Sequence, residues 1–237
     1  MRIITWNCNM AFRKKAERIL EYDPDILVIP ECENPDALKL SSFPKMPSAV
    51  IWHGDNAHKG LGVFAYNGYQ LKLLPVHQPE FKTILPISVK GDGINFILFA
   101  VWANNPSDKP NQYVGQVWKA IHHYDELIRT KKTILAGDFN SNTIWDKPRR
   151  VGNHSGVVEK FGTKKIRSVY HHHFGQLQGK EEHATFHLYK HLDKPYHLDY
   201  CFASNDLIKK LKGVEIGSHE QWYMHSDHLP LIIDFDI

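Results

Sequence analysis

"KTILAGDFNSN", residues 132–142, decides how the chain is read. Its apolar half has the length of a buried strand, and it runs straight into an acid and an amide two positions apart, Asp138 and Asn140. Taken alone, Gly137, Asp138 and Asn140 are ordinary turn residues, and Asp and Asn readily bond their own backbone. The other reading is chemical: a strand end presenting a carboxylate and an amide to a ligand. The stretch itself does not choose between them.

Working outward, the same arrangement recurs. "RIITWNC" (2–8) alternates like a strand and ends at Asn7, and "ILVIPE" (26–31) is a continuous apolar run ending at Glu31. Between them, "FRKKAERILEY" (12–22) puts Phe12, Ala16, Ile19 and Leu20 on one helical face. The middle reads as strands over 48–53, 60–66, 69–76, 83–90 and 94–103, punctuated by Gly, Pro and Asn. A helix is expected from Asn111 to Thr130, with Tyr113, Val117, Ala120, Ile121, Tyr124 and Ile128 as its inner stripe. After the opening stretch come a long loop, a helix near 155–162, and strands over 184–189, 197–203, 214–217 and 229–237. Many strands with two or three helices suggest two sheets packed face to face with helices outside, in one domain spanning 1–237. No Ser/Gly- or Pro-rich tract looks like a linker.

Composition bounds the function. The 237 residues are 42% hydrophobic and 23% charged, enough for a substantial core. No window approaches 18 consecutive apolar residues, so no membrane span is expected. The first residues are too polar for a signal-peptide core. Three cysteines, Cys8, Cys32 and Cys201, stand far apart in apolar segments and read as core thiols of a cytoplasmic protein. A net charge of +3 permits a polyanionic partner without requiring one. Among 16 histidines, "HHH" at 171–173 reads as a solvated cluster, since no Cys or Glu stands at the usual zinc spacings.

Several polar residues share one position, at or just past the end of an apolar strand: Asn7, Glu31, Trp102, Asn104, Asp138, Asn140, Asp199 and the "SDH" of 226–228. Loops at one end of stacked strands converge on one pocket. The motifs "TWN", "PE", "GDFN", "LDY" and "SDH", in this order and spacing, resemble the endonuclease/exonuclease/phosphatase superfamily. That group includes exonuclease III-type abasic endonucleases, DNase I, deadenylases and inositol-phosphate phosphatases. The resemblance runs from Ile4 to Ile233. It implies an α/β, DNase I-like four-layered sandwich: two packed, mostly antiparallel β-sheets flanked by helices.

The resemblance also implies roles. Glu31 matches the family's metal-holding Glu for Mg²⁺ or Mn²⁺, with Asp227 completing the metal end and Asn7 beside the metal and the phosphate. Asp138 matches the carboxylate that orients or deprotonates the attacking water. Asn140, two residues on and so on the same side of an extended segment, holds that geometry and donates to the phosphate. His228 matches the imidazole that binds a non-bridging oxygen, and Asp199 its carboxylate partner. Chemically the set is coherent, because phosphodiester hydrolysis must neutralise phosphoryl charge and activate a water.

Some positions depart from the abasic-endonuclease branch. Asn9 stands where that branch carries an acid, so metal binding should be weaker. Glu33, in "PECE", replaces its Lys and should subtract positive charge near the phosphate. Trp102 stands where other branches place a phosphate-contacting Tyr or His, and is equally explained as a packing aromatic. Phe186 and Tyr196 match aromatic walls of a sugar pocket, though core packing explains either. The loop with Trp145, Lys147, Arg149 and Arg150 suits a nucleic-acid strand or an ordinary charged surface. "TKKIR" (163–167) and "KKLK" (209–212) read as solvated faces. The expectation is a monomeric Mg²⁺- or Mn²⁺-dependent nuclease acting on DNA or RNA. Its rivals are a phosphodiesterase or phosphatase for a small phosphate ester, and an inactive binding protein of the same fold.

Overall fold

The computed structural model describes residues 1–104 and 112–237. In chain order the first strands are β1 (Arg2–Thr5), β2 (Ile26–Cys32), β3 (Ala49–Asn56), β4 (Lys59–Ala65), β5 (Gln70–Leu73), β6 (Ile84–Gly91) and β7 (Ile94–Trp102). They are followed by β8 (Thr133–Asp138), β9 (Ile166–Ser168), β10 (Phe186–His187), β11 (Pro195–Tyr196), β12 (Asp199–Ser204), β13 (Leu211–Ile216) and β14 (Leu231–Phe235). Among the described residues they build two six-stranded sheets, in the orders β13-β14-β1-β2-β4-β3 and β5-β6-β7-β8-β12-β9, and a two-stranded one, β10-β11. The pairs β1–β2 and β7–β8 are parallel and the other pairs antiparallel.

Apolar side chains fill three layers. Ile3, Val28 and Val63 from the first sheet meet Leu85, Leu98 and Ile134 from the second in the central layer. On the outer face of the first sheet, Leu27, Ile29 and Phe64 pack against Phe12, Ile19 and Trp222. On the outer face of the second, Phe99, Leu135 and Phe202 pack against Val117, Ile121 and Phe161. Strands covered on both faces have no polar side to show, which is why "ILVI" and "TILA" read as unbroken apolar runs. Each such side chain contributes about 1.5–3 kcal/mol by leaving water. The result is the expected four-layered, mostly antiparallel α/β sandwich.

Several local expectations are corrected. The helix expected over 111–130 breaks at Tyr124 into Val114–His123 and Asp125–Thr130, and Asn111 lies outside the described residues. Tyr113 faces solvent with φ 54°, so the inner stripe begins at Val114. Residues 12–22 form a 3₁₀ turn, Phe12–Lys14, and a short helix, Ala16–Leu20, rather than one helix. "TKKIR" is not simply a solvated face, because Ile166 is buried in β9 and pairs across to Ser204. The histidine run lies in the helix Val169–Phe174, and His171 turns inward to Glu181 at 3.0 Å instead of facing water. The three cysteines are free and buried. No described helix is long and apolar enough to cross a membrane.

Candidate active site

Strand direction explains why distant polar residues meet. β1 and β2 run parallel, so Asn7 and Glu31 leave the first sheet at the same rim. β14 runs antiparallel to β1, so residues 226–228, which lead into it, approach that rim too. In the second sheet β7 and β8 end together, and β12 begins there. Register then sets Trp102 and Asp199 as the neighbours of Asp138 on either side.

Two hydrogen-bond systems cross from one sheet to the other. Asn7 Nδ2 donates to Asp138 Oδ2 at 3.0 Å, and His228 Nδ1 lies 2.8 Å from Asp199 Oδ2. The other ring nitrogen, His228 Nε2, is 4.0 Å from Asp138 Oδ2. Ser226 Oγ donates to the Asn7 carbonyl at 2.7 Å and accepts from the His228 N–H at 3.0 Å. Trp6 Nε1 donates to the His228 carbonyl at 3.0 Å. Thr185 Oγ1 accepts from the Leu198 and Asp199 amides, each at 2.9 Å, and so fixes the start of β12.

Asn140 joins the same centre by a different route from the one expected. Its backbone is left-handed, φ 46°, not extended. Its N–H donates to Asp138 Oδ1 at 2.8 Å and its Nδ2 to Asp138 Oδ2 at 3.0 Å. Asp138 does bond its own backbone neighbour, as a turn residue should, and the turn carries the amide back to the carboxylate. Gly137 is required beside it: its φ is 147°, and a Cβ there would lie 1.8 Å from the Val101 carbonyl oxygen.

Charge is concentrated where water is scarce. Asp138 and Asp199 are both fully buried. Burial pushes the Asp138 carboxyl up, against the pull of His228, and the Asp199 charge pushes it further. For His228, burial disfavours the imidazolium, but the charges of Asp199 and Asp138 and the Asp199 hydrogen bond outweigh it, holding the ring above the usual histidine range. The second Asp199 oxygen, Oδ1, is buried without a hydrogen-bond partner among the described residues.

Among the described residues one cluster of metal-ligating groups comes together, and a second set was expected from the sequence. Ligand atoms of Asp138, Asp199 and His228 lie within 4.8 Å of one another. His228 Nδ1 is already committed to Asp199, while its Nε2, 4.0 Å from Asp138 Oδ2, makes no hydrogen bond to that carboxylate. Glu31, Asp227 and Asn7 offer only oxygen, the donor type that hard divalent cations such as Mg²⁺ and Mn²⁺ prefer. Glu31 sits in a β-bulge, since Pro30 pairs with Leu61 and Cys32 with Gly60, and its φ is 61°. A bulge leaves its extra residue unpaired and re-aims its side chain. Glu31 Oε2 lies 3.2 Å from Lys59 Nζ. Asp227 Oδ1 accepts from Asn9 Nδ2 at 3.0 Å, and the Asn9 N–H donates to Asn7 Oδ1 at 3.0 Å. Asn9 thus links the two remaining members of that set. Glu33 is buried against Arg13, which offsets the charge expected to weigh on the phosphate.

The residues expected to contact substrate separate into two regions. Trp102 and Asn104 line a cavity of about 530 Å³ together with Lys59 and Lys82. On the other flank, Phe186 packs 4.6 Å from the His228 ring, Tyr196 lies 6.4 Å from Phe186, and Trp145 lies 4.9 Å from Tyr196. These aromatics are not core. They form a strip from His228 out to Trp145, which is 47% exposed. Arg149 is exposed, whereas Arg150 is drawn away, its Nη2 donating to the Gln112 carbonyl at 2.9 Å.

Sequence reading missed the support beneath this strip. Asn142 Nδ2 donates to Glu181 Oε2, the His197 carbonyl and the Tyr200 hydroxyl, each at 3.1 Å. Ser141 Oγ lies 2.8 Å from His154 Nδ1, and Gln178 bridges His154 to His171. The only trace in the sequence is "SN" directly after "GDFN". Lys59 was missed as well, being an unremarked lysine before "GLG".

Comparison with known proteins bears on the fold and the family. No curated protein sequence matches. Among solved structures, the 3′–5′ exonuclease NExo from Neisseria meningitidis aligns with a TM-score of 0.72 at 18% identity, covering 100% of both chains. A structure of the Neisseria 3′ phosphatase NExo bound to a product DNA hairpin gives 0.68 at 20% identity, again over 100% of both chains. An AP endonuclease from Archaeoglobus fulgidus gives 0.67 at 18%, with 100% of each chain covered. At such identities the likeness speaks for the fold. The sequence itself matches the Endonuclease/Exonuclease/phosphatase family over residues 4–228. The chain belongs to that family.

Proposed function

We propose that the protein hydrolyses phosphodiester bonds in DNA or RNA, with Mg²⁺ or Mn²⁺ held by Glu31, Asp227 and Asn7. The observation that carries this reading is the buried Asp138–His228–Asp199 array, bridged to Asn7 and Asn140, at the inner end of an aromatic strip. Asp138 accepts a proton from the attacking water as the water oxygen bonds to phosphorus, the P–O bond to the leaving group breaks, and the departing alkoxide takes a proton from solvent. Such base assistance contributes about 10²–10⁴ in rate. Asn7 and Asn140 fix that carboxylate and offer amide protons. His228, kept cationic by Asp199, faces the phosphate oxygen that gains charge. The divalent cation supplies charge neutralisation at the phosphoryl group.

Nucleic acid is favoured over a small ester by the strip running from half-buried Phe186 and Tyr196 to exposed Trp145, since bases stack on accessible aromatic faces. The Neisseria relative bound to a product DNA hairpin lends support from outside the chain. The same reading takes residues 1–237 as one working unit, monomeric, in a reducing compartment that suits three free thiols. The test is a metal-supplemented activity panel of abasic duplex, single-stranded DNA, RNA and a generic phosphodiester, run on wild type and His228→Ala. Turnover of a nucleic acid, falling steeply with salt and lost in the variant, is the expected result. Turnover of the small diester alone would replace this proposal with the small-ester reading.

A further inference from the structure

We propose that Lys59 is a resident counter-cation of Glu31, which yields that carboxylate to the divalent metal and then binds an anionic oxygen of the substrate. This rests on the assignment of Glu31 to the metal given above. Glu31 is a mostly buried carboxylate, its side chain 17% exposed, on a bulge whose left-handed backbone is unfavourable for a residue with a Cβ. A carboxylate so placed needs a partner, and among the described residues Lys59 is the one cation ion-paired with it.

The pairing is built in by the hairpin. Lys59 opens β4, and the next residue, Gly60, faces Cys32 in register, one position beyond Glu31. The Trp52 ring lies over Gly60, where an added Cβ would be 2.4 Å from it, and Trp52 Nε1 donates to the Cys32 carbonyl at 3.0 Å. These contacts tie the β3–β4 hairpin to the bulge, so the stem of Lys59 starts from a fixed point beside Glu31.

In that same position the ammonium has a second neighbour. Lys59 Nζ lies 5.5 Å from the centroid of Trp102, within cation–π range. Trp102 is the register neighbour of Asp138, and both Lys59 and Trp102 line the same cavity. The ammonium can therefore give up Glu31 and keep Trp102 with only a small shift of its flexible four-carbon stem. A divalent cation and an ammonium repel one another on a single carboxylate. When the metal takes Glu31, the ammonium is left over Trp102, facing the phosphate that the metal attracts.

Calorimetric titration of Mn²⁺, without substrate, into wild type, Lys59→Met and Glu31→Gln tests the exchange. Lys59→Met should bind Mn²⁺ roughly two- to fivefold more tightly, the scale of a half-exposed ion pair. In protein saturated with Mg²⁺, inorganic phosphate should bind at least about threefold more weakly to Lys59→Met than to wild type. Thermal unfolding identifies a misfolded variant, in which case Lys59→Gln replaces it. If Glu31→Gln loses Mn²⁺ while Lys59→Met binds it unchanged or more weakly, the Lys59 proposal alone fails. If Glu31→Gln binds Mn²⁺ like wild type, both this proposal and the metal assignment fail. Unchanged or absent phosphate binding would overturn the second role of Lys59.

Discussion

Asp138 and Asp199 face each other in register across the β8–β12 pair, and His228 lies 2.8 Å from Asp199 and 4.0 Å from Asp138. Two buried carboxylates on neighbouring strands repel, and the imidazolium is what lets both persist. Asp199→Asn should therefore lower kcat by about 10²–10⁴ with a smaller change in KM, because it removes the charge and hydrogen bond that keep His228 protonated. Its alkaline activity limb should move toward lower pH. Steady-state pH–rate profiles on the best substrate of the panel check both.

Asp138→Asn separates chemistry from stability. The side chain is fully buried, and its charge is held there against desolvation. An amide of the same shape removes that burden but turns one end into a donor facing the Asn7 and Asn140 donors, so thermal unfolding should show a fold that persists with a loss of about 1–3 kcal/mol. Turnover should fall by about 10²–10⁴. Retained turnover would mean that another group takes the proton from water.

Acid sensitivity has a sign that can be worked out. Burial holds His154 at about 4 and His197 at about 4, below the unfolded value of 6.5. Their contribution is complete above pH 6.5 and is lost as pH falls toward 4, because unfolding takes up a proton at each. Asp138, raised in the folded state, acts in the opposite sense over the same window. His53, His187 and His225 are also held below the usual histidine range by burial and add to the loss, so acid destabilises the fold on balance. Asp138→Asn removes the opposing group, so its stability should fall more steeply with acid. Urea midpoints between pH 7 and pH 4.5 decide.

Gly137→Ala places a Cβ against the Val101 carbonyl, in backbone geometry that disfavours any side chain. The expected loss is about 2–4 kcal/mol, combining overpacking with backbone strain. Chemical denaturation measures it directly, and a loss under about 0.5 kcal/mol, the scale of an unremarkable surface change, would show that the strand end adjusts.

Trp145→Ala tests the aromatic strip. Affinity for single-stranded nucleic acid should fall by the worth of one stacked base, about 1–3 kcal/mol, while turnover of a small diester is spared. Fluorescence anisotropy with a labelled oligonucleotide gives the first quantity. An equal effect on both substrates would assign Trp145 to structure.

Much of this centre was legible in the sequence because buried strands carry no polar residues until they end. Asn7, Asp138 and Asp199 stand out against such runs, and topology brings them to one rim. What could not be read depends on contacts between distant segments. Lys59 is an ordinary lysine until Trp52 and the Glu31 bulge fix it. Asn140 reaches Asp138 through a left-handed turn, not an extended alternation. β9 escaped because three residues with one charge between two inward side chains give too short a pattern. Asn142 and Glu181 are 39 residues apart, and no local periodicity joins them.

The hydrogen bonds from Asn7 to Asp138 and from His228 to Asp199 each span the two halves of the sandwich. Neither half owns a working centre; it exists only as a seam. Sliding one half past the other by a single pleat would unfasten both bonds while leaving every strand intact. Activity should thus vanish before the β-signal does on gentle denaturation, making turnover the most sensitive gauge of how the halves are seated.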